Sequence, residues 1–296
     1  HVTFRGGKQN PLHSWYSYLE GYSPEFVEHI LDNYIKNAHT VYDPFAGTGV
    51  TPLVAAKRGL SAFYSEVNPL LQFLVKTKVS ASALSEKNRT KILVNLEKFR
   101  VEVDPLLKES LPDTNLRETY VTTFGDSKFF DDQTFELVLK ARTLIDEISY
   151  TNQLTADIVL VAVINSLISS SFLQRAGDLR YKTEKELKRK TDFIETIEQN
   201  LSNIISDIKQ IEPLPITPTL ISENAKLIDK IPHLKINAVI TSPPYLNGTN
   251  YFRNTKVELW FLRSIKNQDD LSGFRRATVT AGINDVSQKK QLEFTT

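Results

Sequence analysis

Apolar residues first recur at helical spacing at Phe26, Ile30, Leu31 and Tyr34. They follow Ser23-Pro24-Glu25, a helix start with a capping serine and proline at the first helical position. A short strand over 40–42 comes next, then the loop DPFAGTG over 43–49, a helix over 51–58 and a second strand over 61–65. Strand, glycine loop, helix, strand is one unit of a parallel α/β sheet. From about residue 68 to about 211 helical periodicity takes over. It predicts helices over 87–101, 133–148, 157–173 and 185–211, the last with one charged, solvated face. Prolines 213, 215 and 218 end that region. A strand over 238–241 then leads straight into Ser242-Pro243-Pro244-Tyr245.

Composition narrows the class only a little. A chain of 296 residues, 41% hydrophobic, has enough apolar surface for one large core or for a core with a smaller satellite. A net charge of +1 excludes no partner, because cations can gather on one face. The absence of cysteine excludes disulfides and thiolate metal sites, and no metal is expected. No apolar run is long enough to span a bilayer and no signal peptide is visible, so a cytoplasmic protein is expected. The chain begins at His1 and holds no methionine, so further residues are expected before it.

The loop at 43–49 has the chemistry of a nucleotide-type cofactor site. Gly47 and Gly49 let backbone approach a ligand where a Cβ would block it. The helix that follows points its free N–H groups at whatever the loop cradles. No Gly-Lys-Ser/Thr follows, so it is not a phosphate-binding P-loop, and Pro52 stands where a dinucleotide fingerprint needs its third glycine. The acid Asp43 before the loop would repel a pyrophosphate and suits a cofactor carrying an ammonium group. Glu66 ends the second strand, where an acid can accept from both ribose hydroxyls. The bland alternative is a tight turn with a surface acid.

The segment Ser242 to Tyr245 carries the candidate reaction. Two prolines fix φ and remove two N–H donors, leaving a stiff platform of carbonyl acceptors. The carbonyl of Pro243 and the hydroxyl of Ser242 can each accept one N–H of a base amine, and Tyr245 can stack on a base held out of the helix. Two such acceptors favour a tetrahedral nitrogen whose lone pair can attack a methyl group. Positive charge grows on that nitrogen, so fixed acceptors stabilise the transition state above the ground state. The bland alternative is a proline turn with a packing tyrosine.

At these motifs the chain resembles the amino-group DNA methyltransferases of restriction–modification and phage-defence systems. DPFAGTG is similar to that family's motif I, Ser65–Pro69 (SEVNP) to motif II, TSPPY to motif IV and the segment 13–30 to motif X. The resemblance implies a Rossmann-like α/β sheet, S-adenosylmethionine as cofactor and double-stranded DNA as substrate. It also implies a companion restriction endonuclease or other defence subunit. It places Asp43, Phe45, Gly47, Gly49, Glu66 and Asn68 at the cofactor, with Trp15 and Ser23 of motif X at its methionine end. Asn224 in SENAK stands where the family has an aspartate near the cofactor's adenine. Ser242, Pro243, Pro244 and Tyr245 become the catalytic set. A serine at 242 is commoner in enzymes that methylate cytosine N4, and Asp or Asn there in those that act on adenine N6. The tail NGTNYFRNTKVELWFL resembles subfamilies with Tyr-x-Arg and Leu-Glu-Leu patterns, which single out Asn247, Tyr251 and Arg253 as DNA-facing residues.

The expected organisation is a first half of the catalytic core over 1–79, a helical insertion over 80–215 and the catalytic half over 216–296. Within the insertion, 175–182 (RAGDLRYK) holds Arg175, Arg180 and Lys182. These cations could clamp phosphates or a flipped base, or could cap a helix C-terminus. Only a short tail follows Tyr245, so the sheet is expected to be incomplete and continued elsewhere in the protein. The competing functions are an RNA or protein amino-group methyltransferase and a non-catalytic DNA-binding subunit.

Overall fold

Four short strands lie side by side in the computed structural model, which describes residues 10–18, 21–230, 234–244 and 252–277. The strands in chain order are β1 (Thr40–Asp43), β2 (Ser61–Ser65), β3 (Leu173–Ala176), β4 (Asp178–Tyr181), β5 (Thr219–Ser222) and β6 (Ala238–Val239). The helices are α1 (Pro24–Asn33), α2 (Val50–Lys57), α3 (Pro69–Ser82), α4 (Glu86–Glu109), α5 (Thr114–Phe124) and α6 (Asp132–Thr151). They continue with α7 (Gln153–Leu167), α8 (Glu184–Leu187), α9 (Phe193–Gln210), α10 (Lys256–Phe261) and α11 (Gln268–Ala277).

The main sheet runs β5-β2-β1-β6 with every pairing parallel. Val41 sits beside Ala62 on one side and Ala238 on the other, which fixes the register at the centre. The order is that of a Rossmann-like half-sheet: the chain leaves β1 through α2 toward β2, and returns much later to place β6 on β1's other side. Parallel strands need both faces covered, and β1 is buried over Val41, Tyr42 and Asp43. Helix α2 supplies part of that cover and is itself buried from Val50 through Ala56, packing with Val27 and Leu31 of α1.

The helical region between the two halves of the sheet is built round α7. Its residues Ile158 to Ile164 are all buried, the pattern of a helix wrapped on every side. Its neighbours are amphipathic. Helix α4 buries Ile92, Leu96, Phe99, Val103 and Leu107, and α9 buries Ile197, Leu201, Ile204, Ile205 and Ile208, both at helical spacing. This core does not stop at the bundle. It takes in Trp15 and Tyr16 near the start, Leu70, Leu71 and Leu74 of α3, and Val257, Leu259, Trp260 and Phe261 of α10.

Several elements depart from the periodicity. The segment 173–181 is an antiparallel hairpin, β3 with β4, where the sequence predicts the end of one helix and a possible helix cap. Helix α5, rich in β-branched residues, went unpredicted, as did β5, an exposed edge strand beginning directly after Pro218. The long helix predicted over 185–211 is two, α8 and α9. Asp192 caps the second by accepting from the N–H groups of Ile194 and Glu195.

Candidate cofactor and catalytic site

Because the four strands are parallel, their C-terminal ends share one edge of the sheet. On that edge β1 delivers Asp43 and the glycine loop, β2 delivers Glu66, β5 delivers Glu223 and Asn224, and β6 runs into Thr241, Ser242, Pro243 and Pro244. Successive strands are added to one side of β1 and then, with β6, to the other, and open α/β sheets leave a crevice for ligands at such a switch point.

The glycine loop is held from two sides. Gly47 and Gly49 both have positive φ, +56° and +86°. At Gly49 a Cβ would lie 2.7 Å from a methyl of Val75 in α3, so any side chain there is excluded twice over. The Gly47 N–H donates to one carboxylate oxygen of Glu66 at 2.8 Å, and the Asn68 N–H to the other at 2.9 Å. Each Glu66 oxygen therefore keeps acceptor capacity for a ligand hydroxyl. Burial, reinforced by the Asp43 charge, pushes the Glu66 carboxyl up to about 7, while the two N–H bonds pull the other way.

Asp43 is fully buried and accepts from the Phe45 N–H and the Tyr22 hydroxyl, both at 3.0 Å. The Tyr22 hydroxyl also meets Thr51 of α2, and Thr51 donates to the Ile240 carbonyl at 3.4 Å. A line of polar contacts, sharing two hydroxyl protons, thus runs from the acid of the cofactor loop to the strand that carries Ser242. Burial raises the Asp43 carboxyl; Thr241, Phe45, Tyr22 and Thr51 each favour its ionised form. Burial and the neighbouring Asp43 charge raise the Tyr22 phenol strongly, which keeps it protonated and able to donate.

In the comparisons with known proteins no family model and no solved structure matches. Among curated proteins the chain is 26% identical, over 99% of its length, to Type II methyltransferase M.BsoBI of Geobacillus stearothermophilus. It is 23% identical, over 88% of its length, to Type II methyltransferase M.AvaI of a Nostoc species and of Anabaena variabilis. Over most of its length the chain is therefore similar to Type II methyltransferases of restriction–modification systems. It spans 60% of the first relative's length and 56% of the other two.

The remaining residues that the sequence singles out are spread across the fold. Phe45 is half-buried in the loop, and Asn68 caps α3 by accepting from Leu70 while donating to Thr255 at 3.1 Å. Ser23 is buried at the start of α1. Trp15 is buried, and its indole N–H donates to Asp207 of α9 at 2.8 Å, which ties the opening turn to the bundle. Asn224 donates to the Ala277 carbonyl at 2.8 Å and accepts from the Lys226 N–H. Ser242 and Pro244 are half-buried and Pro243 is exposed. Tyr245, Asn247 and Tyr251 lie outside the described residues.

The cations of 175–182 have partners within the chain. The Arg175 guanidinium pairs with the fully buried Glu258 of α10, donates to the Tyr16 hydroxyl at 2.7 Å and lies 5.3 Å from the Tyr16 ring centre. Arg180 makes two bonds to Glu186, at 2.8 and 2.9 Å. The Lys182 amine donates to the carbonyls of Ile168, Ser169 and Ser171, and burial lowers it to about 8. Arg253 pairs with Asp178 at 3.0 Å, and Asn254 donates to the Gly177 carbonyl at 3.1 Å. The hairpin is thereby clipped to the segment leading into α10. Among the described residues no group of three or more metal-ligating side chains is gathered, and no helix is long and apolar enough to cross a membrane.

Sequence reasoning missed Tyr22, Thr51, Lys78 and Glu258. One of them left a readable signal. Lys78 falls four residues after Leu74 and three after Val75, on the stripe of α3 that also buries Leu71.

Proposed function

We propose that this chain forms the cofactor-binding and catalytic core of a site-specific DNA methyltransferase, acting on the exocyclic amino group of a flipped base, preferably cytosine N4. The observation that carries this reading is the convergence of the Asp43–Gly49 loop, Glu66 and Ser242-Pro243-Pro244 on adjacent parallel strands at one sheet edge. The names of the curated relatives support the reaction class.

S-adenosylmethionine fits the donor set. Glu66 has acceptor capacity left on both oxygens for a ribose diol, and buried Asp43 supplies the negative field that a cofactor with an ammonium group and a sulfonium requires. Bound there, the cofactor would supply an electrophilic methyl group. The chain's own part is to receive the base. The Ser242 hydroxyl and the Pro243 carbonyl accept the two amine protons, and Tyr245 stacks on the ring. The Tyr22–Thr51–Ile240 bonds keep the β6 end in register with the cofactor loop. Arg253 and, beyond the described residues, Asn247 and Tyr251 are the DNA-facing candidates.

The test is tritiated methyl transfer from S-adenosylmethionine to plasmid DNA and to total RNA, followed by identification of the modified base. Label in N4-methylcytosine of DNA is the expected result. Label in N6-methyladenine would move the target base, and label in RNA alone would overturn the DNA reading.

A further inference from the structure

Lys78 is fully buried in α3, yet no carboxylate pairs with it among the described residues. Its amine reaches the underside of the glycine loop instead and donates to the Thr48 carbonyl at 2.9 Å. We propose that Lys78 is a positioning residue for the cofactor: its buried amine holds the Thr48 carbonyl and so keeps the Gly47–Gly49 turn in the shape that receives S-adenosylmethionine. The inference rests on the cofactor reading above.

Packing does not account for a lysine at this position. The neighbouring residues on that stripe, Leu71, Leu74 and Val75, are buried and apolar, and a side chain such as methionine would continue them without the desolvation of an amine. What an apolar residue could not supply is a donor to Thr48. That carbonyl sits between two residues with positive φ, a conformation that an open loop has no reason to keep. Val75, one turn before Lys78, fills the space beside Gly49. Helix α3 thus grips the loop at two points, with a methyl at Gly49 and an amine at Thr48.

The charge of the amine is adjustable. Burial lowers it to about 7, so it is neutral above that pH, where it adds no positive charge beneath a cationic cofactor, and it keeps N–H donors in either form. The titratable group facing it from the opening turn is His13. Burial, then the Lys78 charge and to a smaller extent Lys57, hold that imidazole neutral down to about 3. It therefore does not compete as a cation at neutral pH.

The experiment compares the full chain with Lys78→Met by calorimetric titration with S-adenosylmethionine, unfolding without cofactor, and hydrogen exchange at residues 46–49. The expected result is a cofactor Kd raised roughly tenfold, the loss of one buried hydrogen bond. The unfolding midpoint should stay or rise, exchange at 46–49 should quicken, and kcat at saturating cofactor should hold within about twofold. A structural role would lower affinity and midpoint together, and that outcome overturns the proposal, as does an unchanged Kd. Lys78→Gln, which keeps an N–H donor on a shorter chain, should fall between the two. If the unaltered chain binds no S-adenosylmethionine, the cofactor reading fails first and takes this one with it; binding that is equal in both proteins sinks the Lys78 role alone.

Discussion

Helix α7 and the glycine loop are both buried, but they bury opposite materials. In α7 the run from Ile158 to Ile164 is apolar throughout. Around the loop the buried groups are Asp43, Thr48, Thr51, Glu66 and Lys78. Burial of the first kind is favourable by about 25 cal/mol per Å² and asks nothing of direction. Burial of the second kind is unfavourable unless each group finds a partner at bonding distance. The bundle is therefore the region that stabilises the chain, and the strand ends are the region that spends stability to hold charge and donors in place.

Arg175 and Glu258 put a charged pair of the second kind beside the apolar core of the first, and breaking it should produce the largest effect. Arg175→Ala leaves the Glu258 carboxylate buried without its cation and removes the bond to Tyr16. The expected loss is about 3–5 kcal/mol of stability in denaturant unfolding. It should exceed the about 2–4 kcal/mol expected for Leu201→Ala in α9, a cavity in the apolar core. A smaller loss for Arg175→Ala than for Leu201→Ala would show that the pair contributes little to joining the bundle to α10.

Ser242→Ala should show the reverse profile. One acceptor lost from the transition state costs about 2–4 kcal/mol, or two to three decades in kcat. Stability and DNA affinity should stay nearly unchanged, because Ser242 is only half-buried. A variant that transfers methyl groups at the normal rate would reduce Ser242-Pro243-Pro244 to a structural turn.

The third effect depends on pH, and its sign follows from Glu66. In the folded chain this carboxyl stands at about 7 against an ordinary 4.5. Its contribution to stability is fully present below about pH 4.5 and is lost as the pH rises through 7, at up to about 1.4 kcal/mol per pH unit. Glu66→Gln cannot ionise, so its stability relative to the unaltered chain should improve between pH 4.5 and 8 and stay level above that. Cofactor affinity should do the opposite. In the unaltered chain it should strengthen as Glu66 ionises near pH 7, and in Glu66→Gln it should be weak and flat. Parallel stability curves for the two proteins would mean that the carboxyl is not held up by burial.

The same contrast explains what could be read before the fold was known. The Rossmann-like α/β order, α1, α2, α4, α6 and the strands β1 and β2 follow from apolar spacing and capping residues, because nonspecific burial leaves a period in the sequence. The motif residues Asp43, Gly47, Gly49, Glu66 and Ser242 were legible from chemistry, and the structure brings them to one edge. Partnership was not legible. Nothing in Arg175-Ala176-Gly177-Asp178 says that its arginine pairs with a glutamate 83 residues on, or that the segment is a hairpin. Nor does Tyr22, in an aromatic-rich stretch, announce that its hydroxyl sits on Asp43. Such contacts are single events without a repeat, and only the packed chain shows them.

Tyr22→Phe should give the smallest effect and the sharpest division between the two kinds of burial. The ring stays, with its contact to Phe26, and only the hydroxyl goes. Asp43 then loses one of its donors, at a cost of about 1 kcal/mol. The hydroxyl favours the ionised carboxylate, against a burial that already raises the Asp43 carboxyl. Removing it raises that carboxyl further. An acid raised in the folded state loses stability as the pH climbs through its folded value, so the deficit of Tyr22→Phe should be larger at pH 8 than at pH 4. Denaturant unfolding of both proteins at the two pH values decides it. Equal deficits at pH 4 and 8 would assign the hydroxyl to Thr51 and the Ile240 carbonyl behind it, a brace for the β6 end with no bearing on the charge of Asp43.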